Sequence, residues 1–447
     1  MITGKDLIGW GYTPGPWFKA ALLQANLLKE NGYSHAEIQA AIKEFEPEPV
    51  VLMERRKDPL AYRSFLDVRT DLEHENAMAV YKAMNVVMSM PTVEKGAIMP
   101  DACPAGAIPV GGVVATRNAI HPGYHSADVC CSMAISILAG DHSPIDVMDT
   151  IQALTHFGPT RRETFPVELP EVLLELMADN PFLDGLQNVA KFHFTTQGDG
   201  NHFYFVGRME NSGKLAIVSH HGSRGLGARV YKRGMLAAEK QTKERARGIP
   251  KGHAWLDTNT EEGRNYWRAL KFVREWTKMN HFEMHNAIVE QIGGRVHDRY
   301  WNPHNFVFYR DGLFYHAKGA TPSYAGHSWD DGGFTIIPMN MAEPILITRH
   351  ADNPEALGFA PHGAGRNMSR TAYLREHAPK PPEGIDFRFW CGKPDPSEFP
   401  GAYKHSGAVI PVIEQEGLAH IVDRVLPIGS IMAGDWEADA PWRNKKT

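Results

Sequence analysis

Residues 121–133, HPGYHSADVCCSM, hold two histidines, an aspartate and two adjacent cysteines. Asp128 and Cys131 are separated by two residues, so a turn or strand end could present both to one ion. A thiolate beside a carboxylate suits a borderline transition metal such as zinc, manganese or cobalt. Taken alone, the stretch reads more readily as a buried cysteine pair next to a structural aspartate. There is no CxxC, which argues against a thioredoxin-type site and a zinc ribbon.

Other stretches bring the same residue types to glycine loops. GDGNHF (198–203) sets Asn201 and His202 just after a glycine turn, where backbone can approach a ligand closely. SHHGSRGLG (219–227) runs from a strand with His220 and His221 into a loop with Ser223 and Arg224. Loop amides and an arginine fork suit phosphate oxygens. HFEMHN (281–286) spaces His281 and His285 four apart on a helix, hence on one face. It lacks the glutamate of HExxH, so a zincin protease is disfavoured. HGAGR (362–366) places His362 in a glycine–alanine loop ending in Arg366, an arrangement fit for nucleophilic attack on phosphorus. HAKGATP (316–322) adds Lys318 and Thr321. Any of these could be an ordinary turn. Together, from residue 121 to residue 366, they point to one site built from many loops and holding metal and phosphate.

The elements that must position them are legible in outline. Residues 16–46 read as two helices, the second opened by Ser34 and Glu37 as a capping box. A third helix is expected near 74–88, and IPVGGVVAT (108–116) is a buried strand broken by a glycine pair. PEVLLELMAD (170–179) is a further helix, and residues 192–207 read as two strands about a glycine turn. KLAIVSHH (214–221) is a buried strand leading to a helix near 228–247, with another over 261–292. HNFVFYRDGLFYHAKG (304–319) is a hairpin turning at RDG. The pattern predicts one α+β domain over residues 1–447, helical over 1–90, with mixed or antiparallel sheets flanked by helices.

Composition narrows the class. The chain has 447 residues, 43% hydrophobic and 22% charged, with a formal charge of −5. Four cysteines are too few for a disulfide scaffold. No apolar run approaches a membrane span and the N-terminus has no signal-peptide pattern, so the expected setting is the cytoplasm. The net charge excludes a wholly basic nucleic-acid binder but leaves room for a basic strip, for which 224–251 is the candidate. That strip reads equally well as a solvated helix face.

The motifs PVGGVVA, DVCC, GDGNHF, HHGSRGLG, MHN, HAKGAT, IIP and HGAGRNMSR, in this order, resemble those of the RtcB family of GTP-dependent RNA ligases. The resemblance runs over about 95–435. It implies the RtcB-type fold, GTP and two Mn²⁺ ions as cofactors, and joining of an RNA 3′-phosphate or 2′,3′-cyclic phosphate to a 5′-hydroxyl through a histidine–GMP intermediate. It implies Asp128, Cys131, His202, His220 and His285 as metal ligands, with Asp128 bridging, and His362 as the nucleophile. Asn201, Gly363, Ala364, Gly365 and Tyr403 would hold the nucleotide; Arg224, Lys318 and Arg366 would hold RNA phosphate. An activating protein partner and a monomeric or homodimeric state are further implications, with no membrane. The chain departs from the family where a guanine-contacting lysine gives way to Met432 or Ala433. Phe205 stands where an acid is usual, 338–343 reads PMNMAE, and MPDACPAGAIPVGG replaces a histidine-containing segment. These departures mark a divergent paralogue with altered base recognition. End capping without sealing, a phosphoesterase without a covalent step, and RNA binding with a structural metal are the competing readings.

Overall fold

The computed structural model describes residues 1–15, 17–46 and 52–436. The chain divides into two compact units, Met1–Met53 and Glu54–Thr447.

In the first unit, helices Gly4–Gly9, Phe18–Glu30 and His35–Ile42 enclose Ile2, Leu7, Ala21, Ala25, Ile38 and Ile42. Ser34 and Glu37 form the expected capping box, each side chain satisfying the other residue's backbone N–H.

The second unit is built on two sheets. Eight strands make the larger one: Arg295–Pro303, Ser132–Ala139, Leu215–His221, Phe203–Met209, Ala419–Met432, Ile345–His350 and Phe334–Pro338 in spatial order, with Asp386–Phe389 parallel to Ala419–Met432. Its other pairings are antiparallel. The smaller sheet orders Phe306–Arg310, Leu313–Lys318, Val110–Thr116, Val93–Cys103 and Arg63–Ser64. Its hairpin turns at Asp311 and Gly312, both at positive φ, as the RDG signal predicts. Helix Asp71–Met88 begins at Thr70, whose side chain accepts a hydrogen bond from the Glu73 amide. Helices Arg224–Arg245 and Glu261–Gln291 fall close to their expected bounds. The α+β class with mixed and antiparallel sheets matches the expectation.

One local reading fails. Residues 192–207 are not two strands: Gln187–His193 is a helix, and a loop leads from it to the Phe203–Met209 strand. The apolar Phe192 and Phe194 resemble strand residues, but Ala190 and Phe194 pack four apart into the main core, which is helical spacing.

Register decides which side chains meet. In the larger sheet, Ser132 pairs with His221 and Met133 with His220, while Phe203 also pairs with His220. Side chains alternate between faces along a strand, so the His220–His221 doublet splits across the sheet. His221 and Ser219 face the long helix Glu261–Gln291, where His221 stacks on His281 at 3.5 Å. His220 faces the other way.

Candidate active site

Three neighbouring antiparallel strands, and the edge strand beside them, end at one rim of the larger sheet. The loop 126–131 enters Ser132–Ala139 there, with Ser126 and Cys130 in the left-handed region. His202 precedes Phe203–Met209, His220 is next to last in Leu215–His221, and His304 follows Arg295–Pro303. Backbone bonds lock the loops together: the His304 amide donates to Cys131 O at 2.7 Å, and the Cys130 amide to Asn305 O at 2.8 Å.

The result is a tight set of atoms that could hold a metal ion. His202 Nε2 lies 3.1 Å from Asp128 Oδ2 and 3.5 Å from Cys131 Sγ. His220 Nε2 lies 3.2 Å from Cys131 Sγ and 3.1 Å from His304 Nε2. Asp128, Cys131 and His202 form one group, and Cys131, His220 and His304 another, with the cysteine common to both. Two backbone carbonyls orient the rings. His202 Nδ1 donates to Gln197 O at 2.8 Å and His220 Nδ1 to Asn201 O at 2.9 Å, which leaves each Nε2 as a lone pair turned toward its neighbours. Gly222 is required here, since a Cβ would fall 1.9 Å from Asp128 Oδ1.

Electrostatics agree with a cation site. Burial would raise the Asp128 pKa, but the neighbouring His202 ring, helped by the charge of Arg224, brings it down to about 2. Burial lowers the His220 pKa to about 3 and that of His304 well below its ordinary value. Both imidazoles are thus neutral and able to ligate. Burial, followed by the Asp128 charge, pushes the Cys131 thiol well above its ordinary value, so its thiolate calls for a nearby cation. Carboxylate, thiolate and imidazole together fit a transition ion, and two adjacent groups fit a pair.

The structure moves one expected ligand. His285 lies on the far side of the sheet, its Nε2 2.8 Å from Ser219 Oγ and its Nδ1 2.9 Å from Ser136 Oγ. Because Ser219 and His220 point to opposite faces, a helix that reaches Ser219 cannot deliver a ligand to the His220 side. His304 occupies the place expected of His285. The signal was present in the sequence: HNF at 304–306 repeats the His-Asn pair of MHN, directly before a strand.

His362 follows the Phe359–Pro361 strand, which pairs with Ala320–Pro322. Its Nδ1 is 2.7 Å from Oδ2 of the fully buried Asp101. A carboxylate only accepts, so Nδ1 carries the proton and Nε2 keeps its lone pair. Lys404 braces the segment by donating to Pro100 O and Ala102 O, both at 3.1 Å. The His362 and His304 ring centroids are 4.9 Å apart. Gly365 has φ +76°, and a Cβ there would meet Asp101 O at 2.1 Å. Asp101 and Lys404 carry no such signal, since nothing local marks a strand aspartate as a partner for a histidine so distant in the chain.

These groups line one cavity of about 420 Å³. Asp128, Cys131, His220 and His304 form one wall with Asn201; His362 and the Gly363–Ala364–Gly365 loop form another. Pro338–Met341, Arg366, Arg370 and Tyr403 complete it. The buried Glu398 organises that last wall: it pairs with Arg366 at 3.3 Å and with Arg370, and accepts from the Tyr403 hydroxyl. Arg370 and Glu398 were not foreseen.

The three cations expected to hold RNA phosphate fare differently. Arg366 lines the cavity, its guanidinium over the Tyr403 ring. Lys318 donates to Ile108 O at 3.1 Å and lines an adjoining hollow that shares Ser126 with the cavity. Arg224 is tucked beneath the loop at Gly198 and donates to Gly158 O at 3.4 Å, so it is not brought into the cavity. In the 224–251 strip, Arg229, Lys232, Lys240, Lys243, Arg247 and Lys251 are exposed. Arg245 pairs with Asp257. Met432 and Ala433 are buried in the sheet's two cores and Phe205 beside them; none lines the cavity. Among the described residues no helix is long and apolar enough to cross a membrane.

Comparison with known proteins places this geometry. Residues 177–433 match the family model described as tRNA-splicing ligase RtcB. Among curated relatives, the RNA-splicing ligase RtcB of Escherichia coli K12 is 26% identical over 312 residues, covering 62% of this chain and 74% of the relative. The tRNA-splicing ligase RtcB of Thermococcus kodakarensis is 25% identical over 439 residues, covering 78% and 89%. The RNA-splicing ligase RtcB2 of Escherichia coli ATCC 25922 is 24% identical over 402 residues, covering 83% and 96%. The matched segment holds His202, His220, His304 and His362 and spans more than half of the chain, and on that ground the chain belongs to the RtcB family.

Proposed function

We propose that this chain is an RNA ligase that joins a 3′-phosphate end, or a 2′,3′-cyclic phosphate end once water has opened it to the 3′-phosphate, to a 5′-hydroxyl end through a nucleotidylated His362, with GTP and Mn²⁺ as cofactors. The observation that carries the reading is His362 itself. A buried carboxylate fixes its tautomer, and it lines a cavity whose facing wall is a thiolate–carboxylate–imidazole cluster. The relatives' names, RNA-splicing and tRNA-splicing ligase, support it.

In this mechanism His362 Nε2 attacks the α-phosphorus of the nucleotide. A P–N bond forms, the bond to pyrophosphate breaks, and Asp101 stabilises the imidazolium character that develops on the ring. The amides of Gly363–Gly365 and the Arg366 guanidinium hold phosphate oxygens. An oxygen of the RNA 3′-phosphate then attacks the same phosphorus and His362 departs, so that a poor leaving group becomes an activated one. The 5′-hydroxyl attacks the RNA phosphate and the nucleoside monophosphate leaves. Asp128, Cys131, His202, His220 and His304 would hold the ions. Bound Mn²⁺ would supply Lewis-acid stabilisation of phosphoryl oxygens and a lowered pKa for the attacking hydroxyl.

The test is transfer of label from α-phosphate-labelled GTP, or ATP, to Mn²⁺-loaded protein on a denaturing gel. Label with GTP that is lost in His362→Ala supports the proposal. Label with ATP alone reassigns the nucleotide. No label with either overturns the covalent step and brings the phosphoesterase reading forward.

A further inference from the structure

Away from this cavity, three more metal-binding side chains converge. His327 and Asp331 lie in the loop between the Ala320–Pro322 and Phe334–Pro338 strands, and His350 closes the Ile345–His350 strand that pairs with the latter. Asp331 Oδ1 is 3.3 Å from His327 Nε2 and 3.7 Å from His350 Nε2. All three ligand atoms lie within 4.8 Å of one another. Donors about 2.0–2.1 Å from a tetrahedral ion stand roughly 3.3 Å apart, so a small inward adjustment would suffice. The side chains of His327, Asp331 and His350 are only 2%, 8% and 9% exposed.

The carboxylate is held in place. Asp331 Oδ2 accepts from the Gly326 amide at 2.8 Å and Oδ1 from the Gly333 amide at 2.9 Å. Ser323 O accepts from the amides of Ala351 and Asp352, tying the root of the loop to the residues after His350. Neighbouring acids are already neutralised: Asp330 by Arg274 and Lys278, Asp352 by a two-pronged bond from Arg310 at 2.7 and 2.9 Å. That leaves one carboxylate and two imidazoles facing each other. His350 Nε2 and His327 Nδ1 are buried without a hydrogen-bond partner, a costly state that an ion at His350 Nε2 would relieve for that atom. Phe308 and Tyr324 set their rings edge-on to His327 at 6.2 and 6.1 Å, giving the apolar surround that tunes metal sites.

We propose that His327, Asp331 and His350 form a second metal site, separate from the cavity, that takes a divalent ion of the zinc class with a solvent molecule completing its shell. The ion clips the 323–333 loop to the end of the neighbouring strand. Since Phe334–Pro338 runs on into the Pro338–Met341 wall, the clip steadies that wall from behind. The proposal stands independently of the catalytic reading.

Cobalt substitution separates the sites. Both ligand groups at the cavity include Cys131, so Co²⁺ there shows a thiolate charge-transfer band, whereas Co²⁺ at His327–Asp331–His350 shows only d–d absorption. Full-length protein stripped by chelator is titrated with Co²⁺ alone, and bound metal is counted after gel filtration. In His350→Ala, one equivalent and its d–d absorption should disappear while the thiolate band is unchanged. The near-isosteric Asp331→Asn, checked for folding by circular dichroism, should weaken the same equivalent by at least about tenfold. A metal count and spectrum unchanged in both variants would overturn the proposal, as would loss of the thiolate band alone.

Discussion

Asp101 and His362 stand 261 residues apart in the sequence, and their side chains meet at 2.7 Å. The carboxylate sits on a strand of the smaller sheet and the imidazole just after a short strand pair, so the contact depends on tertiary packing alone.

Asp101→Asn should leave the fold intact and slow nucleotide transfer to His362 by about a hundredfold or more, since an amide no longer selects the Nδ1–H tautomer. Single-turnover labelling measures this. A rate within twofold of the parent would show that Asp101 does not orient the nucleophile.

His304→Ala and His285→Ala separate ligand from scaffold. His304→Ala should weaken metal binding by about ten- to a hundredfold. His285→Ala should leave the metal count unchanged and lower stability by about 1–3 kcal/mol, because Ser136 and Ser219 lose buried partners. Metal analysis beside thermal melts reads both, and the reverse pattern would restore His285 to the ligand set.

Gly222→Ala should damage the same site without replacing a ligand. Its Cβ would overlap Asp128 Oδ1, so the carboxylate must swing away or the loop must shift, at about 1–3 kcal/mol. We expect weaker metal binding together with a modest fall in melting temperature; parent-like affinity would show that Asp128 is not held against Gly222.

Acid should destabilise the fold independently of metal. Burial drives the His121 pKa down to about 3 and that of His253 to about 4. Both are neutral when folded, whereas the unfolded chain binds protons below its ordinary histidine pKa of about 6.5. Stability is therefore complete above pH ~6.5 and falls as pH drops toward ~3, by about 2 kcal/mol for His121 alone at pH ~5. Denaturant melts at two pH values test the sign, and replacing His121 by Asn should flatten the slope.

The sequence revealed much of the site because its chemistry sits in short glycine-flanked motifs. Asp128, Cys131, His202, His220 and His362 were all legible from such loops; the structure gathers Asp128, Cys131, His220 and His362 around one cavity and sets His202 against Asp128 and Cys131. What it hid was the face each residue would take. His285 shares a helix face with His281, as the spacing of four predicts, yet that face meets Ser219 rather than His220. Asp101 and Glu398 are buried acids whose charged partners, His362 and Arg366 with Arg370, lie well separated from them in the chain, and spacing carries no trace of them. The first of the two strands expected over 192–207 starts inside a helix, Gln187–His193, because two phenylalanines two apart mimic strand alternation over so short a run.

The metal-binding atoms come from residues 128–131, 202, 220 and 304, and nothing local brings any two of these segments together. Their convergence requires four strands to be paired in the correct alignment. A slip by one residue would turn His220 toward the helix and His221 toward the cluster. Contacts of such long sequence separation are slow to form because loop closure must precede them, so ion capture should wait on pairing of the sheet. The ion would then act as a proofreader of strand alignment, binding tightly to the correctly zipped sheet and poorly to its shifted competitors.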